Sequence, residues 1–458
     1  MNRNRTKLAI AAWITASTLS SAAPAQPTPA RPTTPAPPTT TTPDRYALVR
    51  CGHLIAIAGQ PAQPAVTLVV KNGRVEAVAP GFNGPDLSAA EASGASVTEV
   101  DLKQSWVMPG LIDCHVHLSF EVNPESRQRR FTETDELTTL RAAANARTTL
   151  RAGFTTVRDL GATPEVIFAL RDAIRDGIAE GPRIIASGHA VSVTGGHGDP
   201  TTGARPGLLP TPTPEDGVAD GPDQCAKAVR HQIKLGADVI KLTATGGVLS
   251  PVDTGTGQHF TDAELKAIID TAHSLGRKAA AHAHGTDGIN AALRAGVDSI
   301  DHGTYLDDES IRLFKQTGAY HVPTMLAGAA VAKNALIPGF YPRMVVPKAL
   351  AVGPNIKEAV RKSHAAGVKI AFGTDAGVFP HGENAQEFAL LVEADMTPTQ
   401  TLVAATINAA DLIGLSKDIG TLEPGKYADL IALERDPHTD VRVLEQVQVV
   451  IKGGEVVK

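Results

Sequence analysis

Between Pro109 and Asp375 the chain repeats one unit, a short apolar run rich in β-branched residues followed by a longer stretch of helical period. The runs fall at 110–117, 154–160, 183–187, 239–242, 278–284, 299–302, 320–324 and 369–375. Between them, stretches such as 262–275 and 286–295 carry apolar residues at helical spacing. Gly236 and Gly318 stand just before a run, where a helix ends on a residue free to adopt a left-handed conformation. Strands alternating with helices call for parallel pairing through right-handed crossovers. The fold class is therefore α/β, read as a (β/α)8 TIM barrel. A closed barrel is preferred to an open sheet because reactive residues end nearly every run, and barrels gather such ends into one site.

Those residues are His115, His117, Lys241, His282, His302 and Asp375. His115 and His117 are two apart, so on a strand both imidazoles face the same way and can chelate one ion. Two unrelated surface histidines fit poorly, because Pro109 to Val116 is otherwise largely apolar. Lys241 ends the run Ala237-Asp238-Val239-Ile240. A lysine inside a barrel is costly unless paired or chemically altered. Carbamylation by carbon dioxide would make it an anionic ligand bridging two metals; the alternative is pairing with a buried carboxylate such as Asp375. His282 and His284 are also two apart, and spacing does not choose between them. Asp375 follows Phe372-Gly373-Thr374. As a carboxylate beside a metal and its hydroxide, it is the candidate to accept a proton and pass it to the leaving group. The donor set suits two divalent ions, zinc first, with manganese or cobalt also acceptable.

The ends read differently. Arg3, Arg5 and Lys7 precede an apolar stretch from Leu8 to Leu19, and Ala23-Pro24-Ala25 supplies the small residues of a cleavage site. Residues 1–25 are read as a secretory signal peptide, too short in its apolar part for a permanent anchor. The protein is thus expected to be exported, to the periplasm or the medium. Residues 26–45 form a Pro/Thr-rich linker. Residues 46–108 and 420–458 alternate apolar and polar positions around turns such as Lys71-Asn72-Gly73 and Gly453-Gly454, and are expected to pair into one small β-sandwich beside the barrel of 109–419. Cys51, Cys114 and Cys225 are odd in number and irregularly spaced, which is no disulfide framework, and Cys114 is read as a core residue facing away from the metals. Aromatic residues at 4% and a formal charge of −5 argue against nucleic acid as a partner.

Pro109-Gly110-Leu111-Ile112-Asp113-Cys114-His115-Val116-His117 resembles the opening motif of the amidohydrolase superfamily. Val239-Ile240-Lys241, Ala281-His282-Ala283-His284-Gly285, Ile300-Asp301-His302-Gly303 and Gly373-Thr374-Asp375-Ala376-Gly377 are similar to its later strand motifs, in order. The resemblance implies that His282 is the fifth-strand ligand and leaves His284 a substrate or supporting role. Within the superfamily the chain resembles the metal-dependent Xaa-Pro and Xaa-Arg/Lys dipeptidase branch, which also holds ochratoxin-hydrolysing amidases. The carrying residues are Ser192-Val193-Thr194-Gly195-Gly196-His197-Gly198-Asp199 and Pro380-His381-Gly382-Glu383-Asn384.

That branch implies cleavage of an amide whose leaving amine carries a free carboxylate, as in dipeptides, N-acyl amino acids or ochratoxin A. His197, in a Gly-Gly-His-Gly loop that allows close backbone approach, is the candidate to hold the substrate carbonyl or carboxylate, and related barrels imply a homo-oligomer. Tyr305, just past His302, is a further candidate to contact substrate. The rivals are a cyclic-amide hydrolase or deaminase of the same superfamily, and a non-catalytic binding protein on the same barrel. Lys241 argues against the deaminases, and retention of all six ligand-type residues argues against a non-catalytic barrel.

Overall fold

The computed structural model describes residues 43–251 and 255–458. The expected signal peptide, 1–25, and all but the end of the expected linker lie outside these residues. The N-terminal flank supplies β1 (Arg45–Leu54), β2 (Gln63–Lys71), β3 (Arg74–Pro80) and β4 (Ser96–Pro109). The repeating region supplies β5 (Leu111–Val116), β6 (Phe154–Asp159), β7 (Arg183–Ala186), β8 (Val239–Thr243), β9 (Lys278–Ala283), β10 (Ser299–His302) and β11 (Tyr320–Val322). The C-terminal flank adds β12 (Leu430–Leu433), β13 (Val449–Lys452) and β14 (Glu455–Val456).

Both flanks enter one seven-stranded sheet, in the order β14-β13-β12-β4-β1-β2-β3. β4 joins the chain ends: it runs parallel to β1 and antiparallel to β12, with Pro109 opposite Leu430. Its hairpins follow from turn chemistry. Asn72 and Gly73 both take positive φ, 50° and 80°, the two-residue turn whose twist matches the strands it joins, and Gly453-Gly454 do the same between β13 and β14. The alternating strands bury Val49, Leu68, Val107, Leu430 and Ile451 in a cluster of their own. A sandwich of two sheets is expected here; hydrogen bonding makes it one continuous sheet.

The repeating region departs from expectation in the same way. β5-β6-β7 form one parallel sheet and β8-β9-β10-β11 another. The expected eighth strand at 369–375 is not a continuous strand. It makes single bridges, Ile370 to His321 on one side and Ala376 to Val116 on the other. Its backbone is drawn off strand geometry at Asp375, where φ is 61°. Between β7 and β8 the contact is likewise local: Val191 donates to the Lys241 carbonyl at 2.8 Å, and Asp238 to that of Ala186 at 2.8 Å.

The helices follow their local signals. Helix Asp262–Ser274 starts with a capping box between Thr261 and Glu264, and helix Thr286–Ala295 matches its expected range. Gly236 and Gly318 cap their helices in the left-handed conformation. Helices Met325–Ala335 and Val346–Ala365 pack on each other beside the strand ends. All three cysteines are buried and unpaired, and Cys114 packs with Ile112, Tyr320 and Ala409. Among the described residues no helix is long and apolar enough to cross a membrane.

Candidate metal centre

β5 delivers the first group. The imidazoles of His115 and His117 project to the same side, as a two-residue spacing requires, and their Nε2 atoms stand 3.3 Å apart. His117 Nδ1 sits 3.1 Å from the Gly161 carbonyl, which assigns that nitrogen the proton and leaves Nε2 with a lone pair facing inward. Asp375 Oδ1 completes the group, 3.2 Å from His117 Nε2 and 3.5 Å from His115 Nε2. Burial works to raise the Asp375 carboxyl, but His115, His117 and His302 outweigh it and hold it below the ordinary carboxylate range. Asp113 fixes the backbone on both sides of this group. Its carboxylate accepts from His115 N, from Thr374 N and Oγ1, and from Asn384 Nδ2 at 2.8 Å.

The second group comes from the ends of β9 and β10: His282, His284 and His302, each buried. Within each group of three, the ligand-type atoms lie within 4.8 Å of one another. Hydroxyls orient two of these rings. Thr304 Oγ1 meets His284 Nδ1 at 2.7 Å, and Thr324 Oγ1 meets His302 Nδ1 at 2.7 Å. Burial, reinforced by the Lys241 charge, pushes the His115 imidazole down to about 4. Burial likewise takes His284 to about 3 and holds His282 and His302 well below their usual range. Neutral imidazoles are what metal ligation requires.

Lys241, on β8, is within electrostatic reach of both groups, acting on His115 as well as on His282, His284 and His302. Its Nζ lies 2.5 Å from Asp301 Oδ2. Asp301 also faces Arg158 Nη2 at 3.3 Å and His115 Nδ1 at 3.4 Å. Burial lowers the Lys241 amine, while Lys241, His115 and Arg158 overcome burial to keep Asp301 ionised. The buried-carboxylate partner open to Lys241 in the sequence is thus Asp301 here rather than Asp375.

The site carries backbone strain. His302, Thr324 and Asp375 all have positive φ, 71°, 54° and 61°, although none is glycine. Such strain collects where surrounding structure forces side chains into a functional array. The donor chemistry fits divalent metal: nitrogen and oxygen atoms lie in two convergent groups, His115, His282, His284 and His302 are kept neutral, and a carboxylate is kept charged, while Asp375 raises His117 against burial.

His115, His117, Lys241, His282, His302, Asp375, His197 and His284 all line one cavity of about 550 Å³. His189 lines it too. His197 stands over the second group, its ring centroid 4.3 Å from that of His282 and its Nδ1 2.6 Å from Ser250 Oγ. Tyr305 is not brought in. Its backbone binds His284 O and Thr286 Oγ1, and the residue is absent from the cavity lining among the described residues. Sequence reasoning passed over Asp301 and Arg158, although a charged side chain within an otherwise apolar buried run was a signal for each. Asn384 was singled out only as part of a family motif, and Thr304 and Thr324 had no signal; the roles of all three arise from contacts between distant segments.

Residues 106–457 match the amidohydrolase family. The chain belongs to that family. It is 35% identical over 378 residues to the ochratoxinase of Aspergillus niger, covering 77% of this chain and 75% of that protein. It is also similar to the crystal structure of a Xaa-Pro dipeptidase with methionine bound in its active site. That match has a TM-score of 0.85 and 41% identity, and covers 90% of this chain and 99% of the other. A prolidase complexed with N-methylphosphonate-L-proline matches with a TM-score of 0.80 and 30% identity, over 90% and 99% of the two chains. The protein is therefore an α/β amidohydrolase of the dipeptidase and ochratoxinase branch, a hydrolase acting on amide bonds.

Proposed function

We propose that this amidohydrolase works with two divalent metal ions and cleaves an amide or peptide bond whose leaving group is an amino acid with a free carboxylate. The observation that carries the reading is the pair of three-residue ligand groups sharing one cavity, with Lys241 within electrostatic reach of both. His115, His117 and Asp375 would hold one ion, and His282 and His302 the other. Zinc is the preferred metal on donor type. Bound there, the ions would polarise the scissile carbonyl and make a water acidic enough to attack at neutral pH.

The remaining work falls to side chains. Asp375, held ionised, is the proton acceptor, and it returns the proton to the departing amine as the tetrahedral centre collapses. His197, oriented by Ser250, offers its Nε2 to the substrate carbonyl or carboxylate. His284, turned by Thr304, is the second substrate contact. Lys241 is proposed to be carbamylated. Burial favours its neutral amine, whose lone pair would add to carbon dioxide with loss of a proton, replacing a buried cation by an anionic oxygen donor. The two parallel sheets and segment 369–376 are read as one barrel closed by the single bridges. Export through residues 1–25 and assembly into a homo-oligomer belong to the same reading.

The test is mass spectrometry of the metal-loaded protein with dipeptides, N-acyl amino acids and ochratoxin A, each beside its C-terminally amidated twin. Amino acid released only from free-carboxylate members supports the proposal. Cleavage of neither set with both metals bound would overturn it and point to cyclic amides.

A further inference from the structure

The cavity has two chemically distinct halves. One is the imidazole, lysine and aspartate array. The other is a wall made by Val248 and Leu249 from the loop after β8, Ala327 and Val331 from helix Met325–Ala335, and Val352 and Ile356 from helix Val346–Ala365. The wall is rigid for a packing reason. The two helices cross at Gly328 and Gly353, where a Cβ on Gly328 would meet Ile356 Cδ1 at 3.2 Å and Gly353 Cα at 3.5 Å. Glu387 pins the start of the first helix, accepting from Met325 N at 2.9 Å and Leu326 N at 2.6 Å.

Among the described residues, this wall offers no carboxylate to a cation. Among the described residues lining the cavity, Asp375 is the sole carboxylate, and it is engaged by His115 and His117. The carbonyls of Gly247 and Ser250, next to the wall, already accept from Lys348 Nζ at 3.3 and 2.8 Å. An ammonium or guanidinium moved from water onto such a surface would lose its hydration without gaining a partner. An aliphatic or aromatic group would gain by the area it removes from water.

We propose that this valine and isoleucine wall is the side-chain subsite, and that it takes an uncharged apolar or aromatic group while excluding lysine and arginine side chains. The proposal rests on the reading above that the substrate is an amide releasing an amino acid. It divides that branch, separating this chain from members that act on basic residues.

The experiment compares kcat/KM of the metal-loaded protein on dipeptides in which one position at a time is Phe, norleucine, Lys, Arg or citrulline. Norleucine and lysine share a stem, and citrulline is an uncharged counterpart of arginine, so charge alone is varied. At the position facing the wall, the uncharged member of each pair is expected to win by about 100-fold or more. Val331→Asp should narrow that ratio at least about tenfold by supplying the missing counter-charge.

Lys and Arg peptides turned over as well as their uncharged counterparts at both positions would overturn the inference while leaving the amide reading intact. If no peptide is cleaved, the amide reading fails by itself. The subsite is then read by calorimetric binding of N-acetylnorleucine against N-acetyllysine, and equal affinities would overturn it. Should Val331→Asp fail to fold, the wild-type ratios decide alone.

Discussion

The Lys241 ammonium and the Asp301 carboxylate meet at 2.5 Å where neither reaches bulk water, the two side chains being 4% and 0% exposed. They come from β8 and β10, which are not neighbours; β9 lies between them in the sheet. Asp301 in turn faces Arg158, from β6 of the other sheet, at 3.3 Å, and His115, from β5, at 3.4 Å. One carboxylate therefore neutralises two buried cations and touches a ligand-type imidazole, tying both parallel sheets to the candidate centre.

Asp301→Ala should be costly to the fold, because it leaves Lys241 and Arg158 buried without their counter-charge. A loss of about 3–5 kcal/mol is expected. Urea denaturation of the metal-free protein measures it, and a loss below about 1 kcal/mol would show that water or another group takes over the role.

Asp375→Asn separates chemistry from folding. Asparagine tolerates the left-handed backbone that Asp375 adopts, so the melting temperature should hold. It cannot accept the proton, so kcat should fall by a factor of about 100 to 10,000. Near-normal turnover would remove Asp375 from the proton path.

Thr324 binds His302 Nδ1 and fixes which nitrogen faces the cavity. Thr324→Val keeps the shape and removes the hydroxyl. Metal affinity, read by competition with a chromophoric chelator, should weaken about 10- to 100-fold, while Thr324→Ser retains it. Equal affinities for Val and Ser would mean that the hydroxyl does not orient the ring.

Glu387 gives the protein an alkaline weakness. Burial pushes its carboxyl up to about 8, against the two backbone N–H groups that favour the charged form. A folded pKa above the unfolded one gives stability that is complete below about 4.5 and lost as pH rises through about 8. Between pH 7 and 8 the loss should be about 1 kcal/mol. Most of the buried histidines have lowered pKa values and act below pH 7; His117, which Asp375 raises against burial, loses its share as pH rises too, so the comparison with Glu387→Gln is what isolates Glu387. Denaturation at pH 7 and pH 8 should show this slope in the wild type and its absence in Glu387→Gln; the same slope in both would assign it to another group.

What could be read locally was read from the sequence. His115 and His117 share a face because side chains alternate along a strand, and their Nε2 atoms do face each other. Asn72-Gly73 and Gly453-Gly454 mark hairpins because few residues accept positive φ twice in succession. The order of strand-end histidines, lysine and aspartate was legible because each ends its own apolar run, and that order carries the family.

The rest depended on tertiary structure. Alternation puts Asp301 and His302 on opposite faces, yet both reach the centre, since φ of 71° at His302 turns the chain off strand geometry. The same departure at Asp375 breaks the expected eighth strand into single bridges. Spacing left His282 and His284 equivalent, and the structure keeps both in one group with His302. Tyr305, adjacent in sequence to the site, is carried away from the cavity by the turn after β10. Periodicity specifies only how near neighbours in the chain face one another. Which carboxylate neutralises which cation, and which hydroxyl turns which imidazole, is decided by segments that meet only when the sheets assemble, because buried charges and donors must then find partners wherever packing has put them.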